Sequence, residues 1–233
     1  PEAAERVVQC LSNSGLPVST SDRGLDHGAW IPLRQMFPLA DVPVIPLSVQ
    51  AHLGPRHALA VGQALAPLVS EGFLIIGSGN ITHNLGDWRM AEMRGSGTPD
   101  YVSRFSNWVA QRLAEGDTEA LLQYRQLSPD GVRAHPSEEH LLPLFTALGA
   151  AGASAVARHC AAACRRRSAR RRHRGDPAAA VARAGGVARR RSALERREPR
   201  GEVAEERRLL DDAHARIGVA VLHFQRGARQ LYG

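Results

Sequence analysis

Apolar positions in the first part of the chain recur with two periods. AAERVVQCL (3–11) spaces its alanines, valines and leucine as the buried stripe of a helix, and SGLPVS behind it predicts a stop followed by a strand. VPVIPLSVQ (42–50) is short, β-rich and interrupted by prolines, as suits a strand entering a site better than a central one. HALAVGQALAPLVSEG (57–72) returns to helical spacing and stops at Gly72. GFLIIGSGN (72–80) is a continuous apolar run closed by glycines, which predicts a buried strand whose C-terminal end opens into a loop. YVSRFSNWVAQRLAE (101–115) predicts another helix, with Tyr101, Phe105 and Trp108 on its core face. EEHLLPLFTALGAAG (138–152) predicts one more, interrupted early by Pro143. Helices and strands alternating in this way indicate an α/β fold. We expect three layers, a central mostly parallel or mixed sheet flanked by helices, followed by an irregular Arg-rich tail.

The pattern breaks near residue 151. CRRRSARRRHRGDPAAAVARAGGVARRRSALERREPRGE has almost no large apolar residues and is not expected to extend the same core; only 203–224 regain helical spacing. Charge divides at the same place. Residues 1–150 hold 10 Arg against 15 Asp and Glu, a formal −5, whereas 151–233 hold 20 Arg against 8, a formal +12. The expected organisation is therefore a partial catalytic domain over 1–150 and an Arg/Ala/Gly-rich tail over 151–233, disordered or frame-shifted, with a helix at 203–224. Every basic residue is Arg, a bias that GC-rich coding DNA explains. Such DNA translated out of frame also yields the Arg, Ala, Gly and Pro of the tail, and this reading is preferred to a basic arm that contacts nucleic-acid phosphates.

Cys10, Cys160 and Cys164 are odd in number and show no pairing pattern, so neither a disulfide framework nor a four-cysteine zinc site is indicated. No run approaches the roughly 20 apolar residues of a membrane helix, and a cytoplasmic setting is expected. The chain opens on Pro1 rather than Met, as expected of a piece of a longer protein.

Histidines carry the candidate chemistry, because imidazole ligates zinc and iron and titrates near neutral pH. His27 stands in GLDHGAW, a loop-like context where Asp26 could orient a neighbouring group. His83 lies just past the predicted buried strand, where α/β folds tend to place ligands. His135 and His140 flank Pro136 in HPSEEH, a segment in which Ser137 could also cap a helix with Glu138 and Glu139 in its first turn. Each histidine alone reads as polar surface, as do His52, His57, His159, His173, His214 and His223. GSGN lacks the spacing of a phosphate loop, and the five-residue step from His135 to His140 does not match the HExxH zinc motif.

Together the segments GLDHGAWIPLRQMFP, PVIPLSVQ, GFLIIGSGNITHNL and HPSEEHLLPLF resemble, in that order, the class III extradiol ring-cleavage dioxygenases of the DOPA-dioxygenase type. The resemblance covers about residues 1–150. It implies a non-haem divalent metal, Fe(II) for catalysis or Zn(II) as bound, with dioxygen as co-substrate, and the opening of a small catechol such as DOPA. Residue by residue it implies His27 and His140 as metal ligands, His83 as the acid/base, and His135 lining the same pocket. Family members carry a further metal-binding histidine in an HGSP-like motif that this sequence lacks, so the chain as it stands is expected to be inactive if nothing replaces it. The alternatives are a nucleic-acid-binding protein acting through the Arg-rich tail (165–174) and a metal-dependent hydrolase using the same histidines. No membrane partner is expected, and the oligomeric state is not legible.

Overall fold

The computed structural model describes residues 2–152 and two further strands, Ala179–Val181 and Val219–His223. Expectations for the rest of the tail, including its disorder or frame shift, an arm at 165–174 and Cys160 and Cys164, lie outside the described residues.

Helix α1 (Glu2–Asn13) forms where its period places it, burying Val7, Cys10 and Leu11. The segment behind it is not the strand expected; Leu16 and Val18 instead pack, outside any helix or strand, on the cluster that α1 covers. Helix α2 (His27–Met36) follows, then strand β1 (Val44–Leu47), a short 3-10 turn (Ala51–Leu53) and helix α3 (Gly54–Ser70). Strand β2 (Phe73–Ser78) is the predicted buried strand. Helices α4 (Leu85–Arg94) and α5 (Asp100–Glu115) come next, then three short helices, α6 (Thr118–Leu122), α7 (Tyr124–Leu127) and α8 (Gly131–Ala134), and finally α9 (Leu142–Ala151).

The α/β class stands. Strand β2 is apolar on both faces because helices cover both: Phe73 and Ile75 join the α1 and α3 cluster, while Ile76 packs with Ala29 and Leu33 of α2. The side chains of β1 divide the same way, Ile45 and Leu47 to one cluster and Val44 to the other. The pairing differs from the expected mostly parallel or mixed sheet. Strands β3 (Ala179–Val181) and β4 (Val219–His223) complete the order β1-β4-β2-β3, in which every described pair is antiparallel. The end of the helix expected at 203–224 is thus a strand; a short apolar run such as VAVLH fits a buried strand as well as a helix, and periodicity does not separate the two.

Helices α3 and α9 cross closely enough that a Cβ on Gly62 would overlap the Thr146 carbonyl, and one on Gly149 the Leu59 carbonyl. The second core lies under α5, where Tyr101, Phe105 and Val109 pack with Leu121, Tyr124, Leu142 and Phe145; Trp108 joins it partly buried. Among the described residues no helix is long and apolar enough to cross a membrane.

Candidate functional site

Strand β2 delivers its C-terminal end to a loop whose glycines serve close approach. A Cβ on Gly77 would overlap the Pro143 carbonyl and one on Gly79 the His140 carbonyl, so only glycine lets the 140–143 segment lie against the strand end. The loop is then tied to that segment and the residues before it. Asn80 N–H donates to His140 O (2.9 Å) and His83 N–H to Ala134 O (2.8 Å). The Asn84 side chain donates to Arg133 O (2.8 Å) while its oxygen caps α4 at Asp87 N–H (2.9 Å). Two histidines 57 residues apart are brought together by this lacing.

The rings of His83 and His140 stack, with centroids 3.3 Å apart and planes 10° from parallel. His140 is buried, and its Nδ1 lies 3.1 Å from Glu139 Oε1, an oxygen that also accepts from Ser137 Oγ (2.8 Å). An ionised carboxylate only accepts, so Nδ1 carries the hydrogen and Nε2 the lone pair; that Nε2 is buried without a partner. Burial first, and then His83, hold His140 down to about 4. Burial also lowers His83, opposed by Glu139. Both rings are therefore neutral at pH 7. Sequence reasoning placed Glu139 beside the site without giving it a role; its adjacency to His140 was the available signal.

Ser137 does not cap a helix as HPSEEH suggested. Residues 136–141 form bends and turns, and α9 starts at Leu142 with Pro143 in its first turn, where a missing N–H costs nothing. Pro143 begins the helix instead of interrupting it.

His135, expected to line the pocket, is packed among other side chains. It is 0% exposed, with its ring set edgewise to Phe105 (5.8 Å) and Tyr124 (6.1 Å). Its Nε2–H donates to Ile81 O (2.8 Å), its carbonyl accepts from Arg125 Nη1 (2.7 Å), and its Nδ1 has no partner. His27 is the first residue of α2 and not part of a loop; Asp26 caps that helix by accepting from Ala29 N–H (3.1 Å). Among the described residues no group of three or more His, Cys, Asp or Glu is placed to hold a metal, so His27 is not joined to His140 in a three-ligand set.

His135 gives acid stability a definite sign. An unfolded imidazole titrates near 6.5, and burial pushes this one down to about 4. Between those values the unfolded chain binds the extra proton, so stability rises with pH. We expect His135 to contribute a loss of about 3 kcal/mol between pH 6.5 and 4, at roughly 1.4 kcal/mol per unit. Urea midpoints across that range should fall more steeply for the natural chain than for His135→Gln; identical slopes would refute the assignment.

The α/β scaffold thus sets two stacked, neutral imidazoles at the end of a buried strand. The chain belongs to the family described as the catalytic LigB subunit of aromatic ring-opening dioxygenase, which matches residues 1–171. It is 44% identical over 154 residues to the 4,5-DOPA dioxygenase extradiol of Beta vulgaris, covering 65% of this chain and 56% of that protein. The protein of the same name from Portulaca grandiflora is 41% identical over 158 residues, with the same coverage. That from Escherichia coli K12 is 32% identical over 153 residues, covering 64% and 55%. The chain thus spans little more than half the length of these relatives. A solved structure of an uncharacterized Escherichia coli K12 protein superposes with a TM-score of 0.52 at 29% identity, covering 64% of this chain and 61% of that one.

Proposed function

We propose that this chain carries part of the catalytic domain, over about residues 1–150, of an extradiol dioxygenase that opens the ring of a small catechol such as DOPA with dioxygen. The fold in this reading is three-layered, with helices on both faces of the sheet. The observation that supports it most is the His83–His140 stack with the unpartnered Nε2 of His140.

A divalent metal, Fe(II) for catalysis or Zn(II) as bound, fits that atom. His140 presents a buried lone pair, and Glu139 on its other nitrogen is the arrangement that orients a ligating imidazole and raises its basicity. His140 and His27 would hold the metal, with a further ligand from beyond the described residues, since two imidazoles do not complete a site. When bound, the metal supplies positive charge that favours loss of the catechol protons. His83 does the proton work. Half-buried and neutral, it can accept a proton from a catechol hydroxyl and later return it, while His83 N–H on Ala134 O fixes where the ring stands.

His83→Gln is expected to lower ring opening about 10²–10⁴-fold while metal binding persists, the usual loss for an acid/base group. The reading itself is tested by loading the chain with Fe(II) and following oxygen uptake with DOPA. In this reading a further ligand stands in for the absent HGSP-like histidine, so uptake matched by a yellow ring-opened product is the expected outcome; a chain that neither binds metal nor consumes oxygen would overturn it.

A further inference from the structure

The Ile81 carbonyl stands at a gap in the backbone lacing between the site loop and the 134–140 segment. On one side of it Asn80 N–H pairs with His140 O, and on the other His83 N–H pairs with Ala134 O. The two facing residues that follow Ala134 have no backbone donor to offer there. His135 N–H is already given to Gly131 O (3.0 Å), and Pro136 has none. The missing donor comes from a side chain, the Nε2–H of His135 at 2.8 Å.

We propose that His135 is a positioning residue: its buried Nε2–H holds the Ile81 carbonyl and thereby fixes the loop that sets the His83 ring on His140. The surroundings explain why an imidazole is used. Phe105 and Tyr124 meet the ring edgewise and demand a flat, rigid shape, which no Asn, Gln or Ser supplies. A phenyl ring would fill the same space without leaving Nδ1 unpartnered, so the polar ring is present for its hydrogen. Arg125 secures the tether from the other side by donating to the His135 carbonyl. The catalytic meaning of this inference rests on His83 and His140 being the site; the tether itself does not.

The test therefore reads the loop and not turnover. Amide hydrogen exchange is compared for the full natural chain, His135→Phe and His135→Gln. His135→Phe keeps the ring shape and loses the donor, so exchange at Asn80 and His83 should accelerate about ten- to a hundredfold, the range expected when a part-buried carbonyl loses its partner. Exchange at Leu65 and Leu68, buried in α3, should stay unchanged, and His135→Gln, whose amide can donate, should recover part of the protection. Unchanged Asn80 and His83 amides in His135→Phe, or a uniform acceleration through both cores, would overturn the proposal. If His135→Phe does not fold, the imidazole nitrogen spectrum of the natural chain decides: a hydrogen on Nε2 is required, and one on Nδ1 alone overturns the tether. None of these readouts needs ring opening, so failure of the dioxygenase reading would be seen separately, in the oxygen-uptake assay.

Discussion

His140→Ala is expected to abolish metal retention and lower ring opening by at least about a thousandfold, with little effect on folding. The factor corresponds to about 4 kcal/mol of transition-state stabilisation, within the several kcal/mol that a bound cation supplies. Folding should survive because the deleted ring carries a buried Nε2 that bonds to nothing, so the cavity left behind is offset by relief of an unpartnered polar atom. The loop keeps its anchor, since Asn80 N–H binds the backbone carbonyl of residue 140 and not its side chain. Glu139→Ala serves as the graded comparison: it removes the acceptor on Nδ1 and should weaken metal binding only about 10- to 100-fold. Elemental analysis after dialysis, oxygen uptake and a thermal melt on the same samples check all three parts. Metal retained in His140→Ala at the natural stoichiometry would remove this residue from the ligand set.

The largest stability effect is expected at the crossing of α3 and α9. Gly62→Ala or Gly149→Ala should each cost about 3 kcal/mol or more, a large share of the roughly 5–15 kcal/mol that holds a domain together. Alanine ordinarily gains about 1 kcal/mol over glycine inside a helix, so the sign here is reversed by contact. The added methyl at Gly62 would also lie 2.9 Å from Ala150 N, and that at Gly149 2.8 Å from Gln63 N. These neighbours are backbone and cannot rotate away, so the helices must separate and loosen the packing of Leu65 and Leu68 beneath them. Gly97→Ala is the control, because a Cβ there meets nothing within 4 Å. Urea midpoints compare the three; a Gly149→Ala chain as stable as Gly97→Ala would show that the crossing yields more easily than its geometry implies.

What could be read along the chain was what local pattern controls. α1, α3, α5 and β2 announce themselves because each shows one consistent period against a continuous core. α2 was hidden because GLDHGAW reads as a loop, although Asp26 caps the helix that starts there. β4 was hidden because a five-residue apolar run carries no period of its own, and its partners lie far away in sequence. At the site, the meeting of His83 with His140 came from resemblance to a family, since nothing in either segment alone requires it. The burial of His135 was not legible because it depends on Phe105 and Tyr124, both on other helices, and on a carbonyl 54 residues away. Non-local hydrogen bonds leave no period in a sequence.

The stacked rings also limit how much charge the site can store. Two imidazolium ions at 3.3 Å would repel by about 5 kcal/mol at an effective dielectric near 20. The pair therefore has a capacity of one. In the proposed cycle, once His83 has taken a proton its neighbour would be barred from taking a second, and the ring beneath it would stay an uncharged lone-pair donor. Stacking would thus keep the two proposed roles from trading places without any wall between them.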